Sequence, residues 1–277
     1  MAGVSLEIRF LNALNMESKR GKVKISVLSS GSCGNCFYIE NDKSAVLIDA
    51  GISCRQIMER LEIIKRTPEK IKGIFITHEH SDHIKGCDVF SRKFNIPVFS
   101  TRKTAESCFL SSNENLINTI KNNDTIKIGG MEIEAFSKSH SAAEPVSFSV
   151  SDKKKASIIT DLGHSCTDVT DAISNSDFLC LESNYDSNML DSGPYPHFLK
   201  QWIQSNSGHL SNLQAGLLLL EYSPKKLKNI LLCHLSRENN TPNLALCTAK
   251  SLIKERFHFN PAVKAMSRGE MSGLIRV

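Results

Sequence analysis

The sequence predicts an α/β chain in which two sheets are sandwiched between helical layers, within one domain. Three observations predict this. Strand-like and helix-like runs alternate toward both ends of the chain, and the middle, 126–160, is almost entirely strand-like. No linker, fixed-period repeat or low-complexity tract divides the whole.

Residues 1–21 read as a short extension closed by the basic Lys19-Arg20-Gly21 step, so the domain is placed at 22–277. Strands are expected at 23–28, 37–40 and 46–50, where apolar runs are separated by Gly, Ser, Asn and Asp. A helix at 53–61 follows, then a strand at 74–77, a helix at 84–94, a strand at 97–100 and a helix at 101–109. The β-rich middle divides into 126–128, 131–137, 146–150 and 156–160. Beyond it come a helix at 168–173, a strand at 178–182, helices at 197–204 and 210–219, and a strand at 230–233. Thr241 as N-cap and Pro242 at the first helical position start a last helix that runs to about 257.

With 277 residues, 40% hydrophobic and 23% charged, the chain can bury a sizeable core, which excludes a disordered protein. Lys and Arg outnumber Asp and Glu by 34 to 29; a net charge of +5 permits an anionic partner without demanding one. The longest purely aliphatic run, 217–220, is far too short to cross a bilayer, so no membrane insertion is expected. Nine scattered cysteines, an odd number with no apolar leader ahead of them, fit reduced thiols in a cytoplasmic protein. Cys33 and Cys36 have no second such pair to complete a zinc ribbon, and are expected to be small buried apolar groups.

The segment His78-Glu79-His80-Ser81-Asp82-His83 carries chemistry. Three imidazoles and a carboxylate within six residues, where a buried strand ends and a helix begins, are hard to explain as packing. They are the donors that metals such as zinc favour. On an extended strand end His78 and His80 project to one side and Glu79 to the other, while Asp82 and His83 come at the turn and can face a second ion. Further donors should sit where other strands end. His140, Asp161, His234 and Asp49 each meet that test.

This spacing resembles the metallo-β-lactamase superfamily, whose motif is His-x-His-x-Asp-His followed by a later His, an Asp and a final His. Other segments resemble the YycJ/WalJ group within it: Gly31-Ser32-Cys33-Gly34-Asn35, Leu47-Ile48-Asp49-Ala50-Gly51, Ala143-Glu144-Pro145-Val146 and Thr160-Asp161-Leu162-Gly163-His164. So do Gly208-His209-Leu210-Ser211-Asn212 and the run from His234 to Asn240. The resemblance covers about 23–255. It implies an αββα sandwich of two mixed sheets with two divalent metal ions, zinc or manganese, along one edge. His78, His80 and His140 would hold one ion, and Asp82, His83 and His234 the other, with Asp161 bridging. It further implies a 5′→3′ exonuclease acting on DNA.

Two ions about 3.5–4 Å apart lower the pKa of a shared water and stabilise the charge that develops on a phosphate. Asp82 and Asp49 serve that centre, Asp49 by orienting a ligand imidazole through its second ring nitrogen. His209, at the start of an apolar helix, is placed to donate to a scissile phosphate or to protonate the leaving oxygen. Ser32, Asn35, Ser211, Asn212 and Arg237 are the candidate substrate contacts, two of them at that helix N-terminus, where free N–H groups favour an anion. Ser141 stands where the resemblance leads one to expect Asp, and Gln201-Trp202 where it leads one to expect a basic pair. Two other readings are a small-molecule hydrolase of a cyclic phosphodiester or thioester, and a non-catalytic binding protein on the same fold. The complete donor set argues against the second.

Overall fold

Along the strand Cys36–Glu40, Phe37 and Ile39 enter one apolar cluster while Cys36 and Tyr38 enter another, and all are buried. Alternation with both faces buried means a sheet covered on each side. The computed structural model describes residues 23–277 except Phe257 and Arg268; the extension at 1–21 lies outside the described residues. The first half of the chain runs β1 (Lys24–Ser29), β2 (Cys36–Glu40), β3 (Ala45–Ile48), α1 (Cys54–Ile63), β4 (Ile71–Phe75), the single turn α2 (Ser81–Ile84), α3 (Cys87–Phe94), β5 (Val98–Thr101), α4 (Arg102–Ser107) and β6 (Ile117–Ile120). The second runs β7 (Thr125–Ile128), β8 (Met131–Ser137), β9 (Val146–Asp152), β10 (Lys154–Ile159), α5 (Thr167–Ser174), β11 (Phe178–Glu182), α6 (Ser187–Ser192), α7 (His197–Gln204), α8 (Asn212–Tyr222), β12 (Asn229–Cys233), α9 (Pro242–Ile253), β13 (Ala262–Ala265) and β14 (Ile275–Arg276).

These strands form two seven-stranded mixed sheets, β14-β1-β2-β3-β4-β5-β6 and β13-β12-β11-β10-β9-β8-β7. Val27, Phe37, Ile48 and Phe75 of the first meet Ile133, Phe148, Ile158, Phe178 and Leu231 of the second in the inter-sheet core. The outer face of the first sheet packs Tyr38 and Leu47 under Ile57, Leu61 and Phe90 of α1 and α3. The outer face of the second packs Leu179, Leu181 and Leu232 under α5, α8 and α9. The predicted αββα sandwich is the observed fold.

The differences have local causes. The helix expected at 84–94 is two helices, broken at Gly86, where a Cβ would lie 2.1 Å from the Ile52 carbonyl oxygen. The strands β6, β13 and β14 escaped sequence reasoning because they are two to four residues long and lie at or near sheet edges, half exposed and without a clear apolar run. The Thr241 cap is present, but α9 stops at Ile253, the last of its residues to reach the core. The Cys33-x-x-Cys36 reading needs a correction: Cys36 is buried in β2, whereas Cys33 is exposed in the loop after β1, where a tight turn keeps it out of the sheet.

At the end of β2, buried Glu40 accepts hydrogen bonds from Arg66, Lys70 and Tyr38, at 2.7 to 2.8 Å. Burial alone would raise its pKa, but these donors outweigh burial and hold it at about 2. A carboxyl whose pKa is depressed on folding contributes stability that is complete above its unfolded value near 4.5 and disappears as pH falls through about 2. Glu40→Gln should therefore cost about 2–4 kcal/mol at pH 7, because Lys24, Arg66 and Lys70 lose their buried counter-charge. Urea melts at pH 7 and pH 3 check this, with the gap between wild type and variant narrowing at the lower pH.

Candidate metal centre

Side chains just beyond the ends of β3, β4, β8, β10, β11 and β12 converge on one edge of the sandwich, the usual place for a site in an open α/β sheet. The turn that follows a strand sets their aim. Asp49, Asp161 and His234 all lie in the left-handed region, with φ of 60°, 54° and 54°. Asp and His enter that region more readily than most residues, at a cost of order 1 kcal/mol each. Gly51 lets the loop carrying Asp82 close in: a Cβ there would sit 1.6 Å from the Asp82 carbonyl oxygen.

Two donor sets result. His78 Nε2 lies 3.0 Å from His80 Nδ1, which lies 3.4 Å from His140 Nε2, so three ring nitrogens face one point. Across from them, Asp82 Oδ2 is 3.5 Å from His83 Nε2 and 3.7 Å from His234 Nε2. Asp161 stands between the sets. Its Oδ2 is 3.0 Å from His83 Nε2, and its Oδ1 is 3.4 Å from His234 Nε2 and 3.9 Å from His140 Nε2.

Each buried imidazole is held by its other nitrogen. His83 Nδ1 donates to Asp49 Oδ2 at 2.7 Å, and His234 Nδ1 donates to Glu182 Oε1 at 2.8 Å. His140 Nδ1 donates to the Gly208 carbonyl at 3.1 Å. Thr77 Oγ1 donates to Asp49 Oδ2 at 3.0 Å and so accepts from His78 Nδ1 at 2.9 Å. In all four rings Nε2 is thereby left for the centre, the arrangement by which outer groups orient metal ligands.

The electrostatics call for cations. Among the described residues, Asp49, Asp82, Asp161 and Glu182 face one buried amine, Lys138, whose Nζ donates to the Thr160 carbonyl at 2.7 Å, and otherwise imidazoles. Burial lowers the pKa of His78 far below its usual value and that of His140 to about 3, so both rings are neutral, as ligands must be. Burial also opposes charge on His83 and His234, but the carboxylates around them prevail: His83 is raised to about 10, by Asp49 and Asp161, and His234 is raised strongly. Burial would raise the carboxyl of Asp161, yet these two imidazoles hold it well below the carboxylate range. Asp161 Oδ2 and His234 Nε2 are buried without a properly directed hydrogen bond. Buried, unsatisfied, nitrogen-and-carboxylate donors are what a divalent transition metal fits.

A sequence profile of the metallo-β-lactamase superfamily matches residues 33–140, which carry the whole His78–His83 segment. The chain is 35% identical over 240 residues to the exodeoxyribonuclease YycJ of Bacillus anthracis, covering 83% of this chain and 89% of that one. It is 37% identical over 231 residues to the exodeoxyribonuclease WalJ of Streptococcus pneumoniae, covering 81% and 86%. The chain belongs to the YycJ/WalJ family of the metallo-β-lactamase superfamily. Among solved structures, the metallo-β-lactamase fold protein YhfI of Bacillus subtilis superposes with a TM-score of 0.68 at 16% identity, covering 91% of this chain and 99% of that one. The short form of human tRNase Z gives 0.60 at 15% identity, covering 90% and 98%. At those identities the likeness is one of fold.

Family membership leaves the roles of individual side chains to geometry, and here several expectations change. His209 is beside the centre, its Nδ1 donating to Glu182 Oε1 at 2.9 Å and lying 3.9 Å from Asp161 Oδ1. It does not open a helix, however: α8 begins at Asn212, and its first amides are already taken. The Asn212 amide donates to the Tyr185 carbonyl and the Gln214 amide to Ser211 Oγ. Ser211 is therefore a helix cap rather than a phosphate contact. Asn212 is buried and exchanges hydrogen bonds with Asn240, so it too is occupied. Asn35 is fully buried beneath the centre, its Nδ2 3.3 Å from Asp82 Oδ2 and 3.0 Å from His83 Nε2, where it steadies donors instead of meeting substrate. Ser32 and Arg237 are exposed, in the loops after β1 and β12. Glu79 turns away from the donors and accepts the Ala143 amide at 2.7 Å.

Sequence reasoning missed Glu182, Thr77 and Lys138. Glu182 had a readable signal, since it closes the predicted strand 178–182 just as His234 follows 230–233, and β11 pairs in parallel with β12 with Glu182 opposite Cys233. Its carboxylate accepts from His209, His234 and the amides of Leu162 and Leu210. Burial works against its charge, but the two imidazoles bring its pKa down to about 2.

Proposed function

We propose that this chain is an exonuclease that hydrolyses phosphodiester bonds in DNA from the 5′ end, at a centre of two divalent ions, zinc or manganese. The observation that carries the reading is Asp161, one carboxylate facing both donor sets, combined with relatives named exodeoxyribonucleases that match over most of their length. His78, His80 and His140 would hold one ion, Asp82, His83 and His234 the other, and Asp161 both. When bound, the pair supplies an acidified water as nucleophile and positive charge for the phosphate oxygens.

The protein's own groups do the rest. Asp49 and Glu182 fix the tautomers of His83 and His234, and Thr77 fixes that of His78. His209, its Nδ1 hydrogen committed to Glu182, presents Nε2 to the leaving oxygen and delivers the proton that the departing alkoxide needs. Ser32 and Arg237 meet the phosphates of the strand. Among the described residues no helix is long and apolar enough to cross a membrane.

The test is the purified, metal-loaded protein on end-labelled DNA. A 5′-labelled strand should release short labelled products early, while a covalently closed circle survives. Activity should fall steeply with added salt, since phosphate contacts release counter-ions. Rapid cutting of closed circles, or hydrolysis of cyclic nucleotides with DNA ends untouched, would overturn the exonuclease reading in favour of its small-molecule rival.

A further inference from the structure

Helix α7 is anchored by Ile203, with Leu199 and Tyr195 packed against Leu190 and Tyr185. That anchoring leaves two aromatic side chains of the same helix outside. Phe198 is 72% exposed and Trp202, one turn further on, is 37% exposed. Residues four apart lie on one helix face, so the two form a stripe. The stripe ends at the candidate centre: the Trp202 ring is 5.6 Å from that of His209, nearly perpendicular to it, and 6.4 Å from that of His140.

An exposed indole costs solvation and is not needed to hold α7, which is docked by its other face. Its position beside the imidazole that would serve the leaving oxygen fixes what can reach it. A group bonded to the reacting phosphate must come within contact of this ring. In a nucleic acid that group is the nucleoside, and its flat face is the base. The only charged side chain within α7 is Lys200, whose Nζ donates to the Asp191 carbonyl; the Phe198–Trp202 stripe itself offers the strand a π surface.

We propose that Trp202, extended by Phe198, is a stacking platform for an unpaired base flanking the scissile phosphate. This rests on the exonuclease reading and narrows its bound substrate to a strand end at which the base beside the scissile phosphate is unpaired. Base–aromatic stacking is tolerant of sequence, as a non-specific exonuclease requires, and its loss on alanine substitution corresponds to about five-fold to a hundred-fold in affinity.

Trp202 is the single tryptophan of the chain, so its fluorescence reports this site alone. The full-length, metal-loaded protein is titrated with a 5′-phosphorylated, hydrolysis-resistant phosphorothioate oligothymidylate and, separately, with an abasic strand of equal length; binding is followed in parallel by anisotropy of a label on the strand. Expected are quenching by the base-bearing strand alone, affinity about tenfold weaker in Trp202→Ala, and affinity within about twofold of wild type in Trp202→Phe. Phe198→Ala should weaken binding less than Trp202→Ala. If DNA binds and is degraded while the abasic strand binds equally well, or while Trp202→Ala binds as wild type does, the platform is refuted and the exonuclease reading stands. If neither binding nor degradation of DNA occurs with wild type, both fall together.

Discussion

Asp161→Ala is expected to lose bound metal and DNA hydrolysis together. Its carboxylate reaches both donor sets, 3.0 Å from His83 Nε2 of one and 3.9 Å from His140 Nε2 of the other, and it is almost fully buried. Removing it would take away the proposed bridging ligand and leave two imidazoles without the charge that they face. The stabilisation that a metal pair gives a phosphoryl transition state is several kcal/mol, so activity should fall by about 10³-fold or more. Metal content by mass spectrometry and turnover on labelled DNA are measured on the same preparation. An Asp161→Ala protein that retains both ions would sink the bridging assignment. His80→Ala, which strips one nitrogen from the other set, should likewise lose activity with metal.

His209→Ala behaves in the opposite way with respect to metal. The His209 ring lies outside the two sets of three; it forms a further cluster with Asp161, Glu182 and His234, but its Nδ1 is spent on Glu182. The variant should keep both ions and lose about 10²-fold or more in turnover on DNA, the range of a positioned proton donor. A deoxyribose alkoxide leaves poorly without that proton, whereas a nitrophenolate leaves well. The same variant should therefore hydrolyse bis-(p-nitrophenyl) phosphate nearly as fast as wild type. Equal losses on both substrates would mean that the ring has a structural role. Glu182→Gln gives a complementary result, because its carboxylate steadies His209 and His234 at once. Metal affinity should drop by about 10–100-fold, the usual effect of removing a carboxylate behind a ligand histidine, along with activity.

The residues from His78 to His83 announce the centre by themselves, because a strand end and one turn suffice to bring them together. His140, Asp161, His234 and Asp49 were legible by a weaker rule: donors gather where strands stop, and the strands carrying them are strongly apolar and easily placed. The sandwich was legible for the same reason, since the continuous apolar runs at 37–39 and 178–181 specify strands buried on both faces.

What each polar neighbour does was decided only by the tertiary structure. Asn35, Ser211 and Asn212 look like substrate contacts in the chain, yet packing buries Asn35 under Asp82, turns Ser211 into a helix cap and pairs Asn212 with Asn240, 28 residues away. Glu182, Thr77 and Lys138 look like ordinary strand-end residues, yet the parallel pairing of β11 with β12 and the facing of the two sheets place them behind the donors. A candidate donor is recognised by its own chemistry, which the sequence carries; a supporting residue's role lies in what stands across from it, and only the folded chain sets that distance.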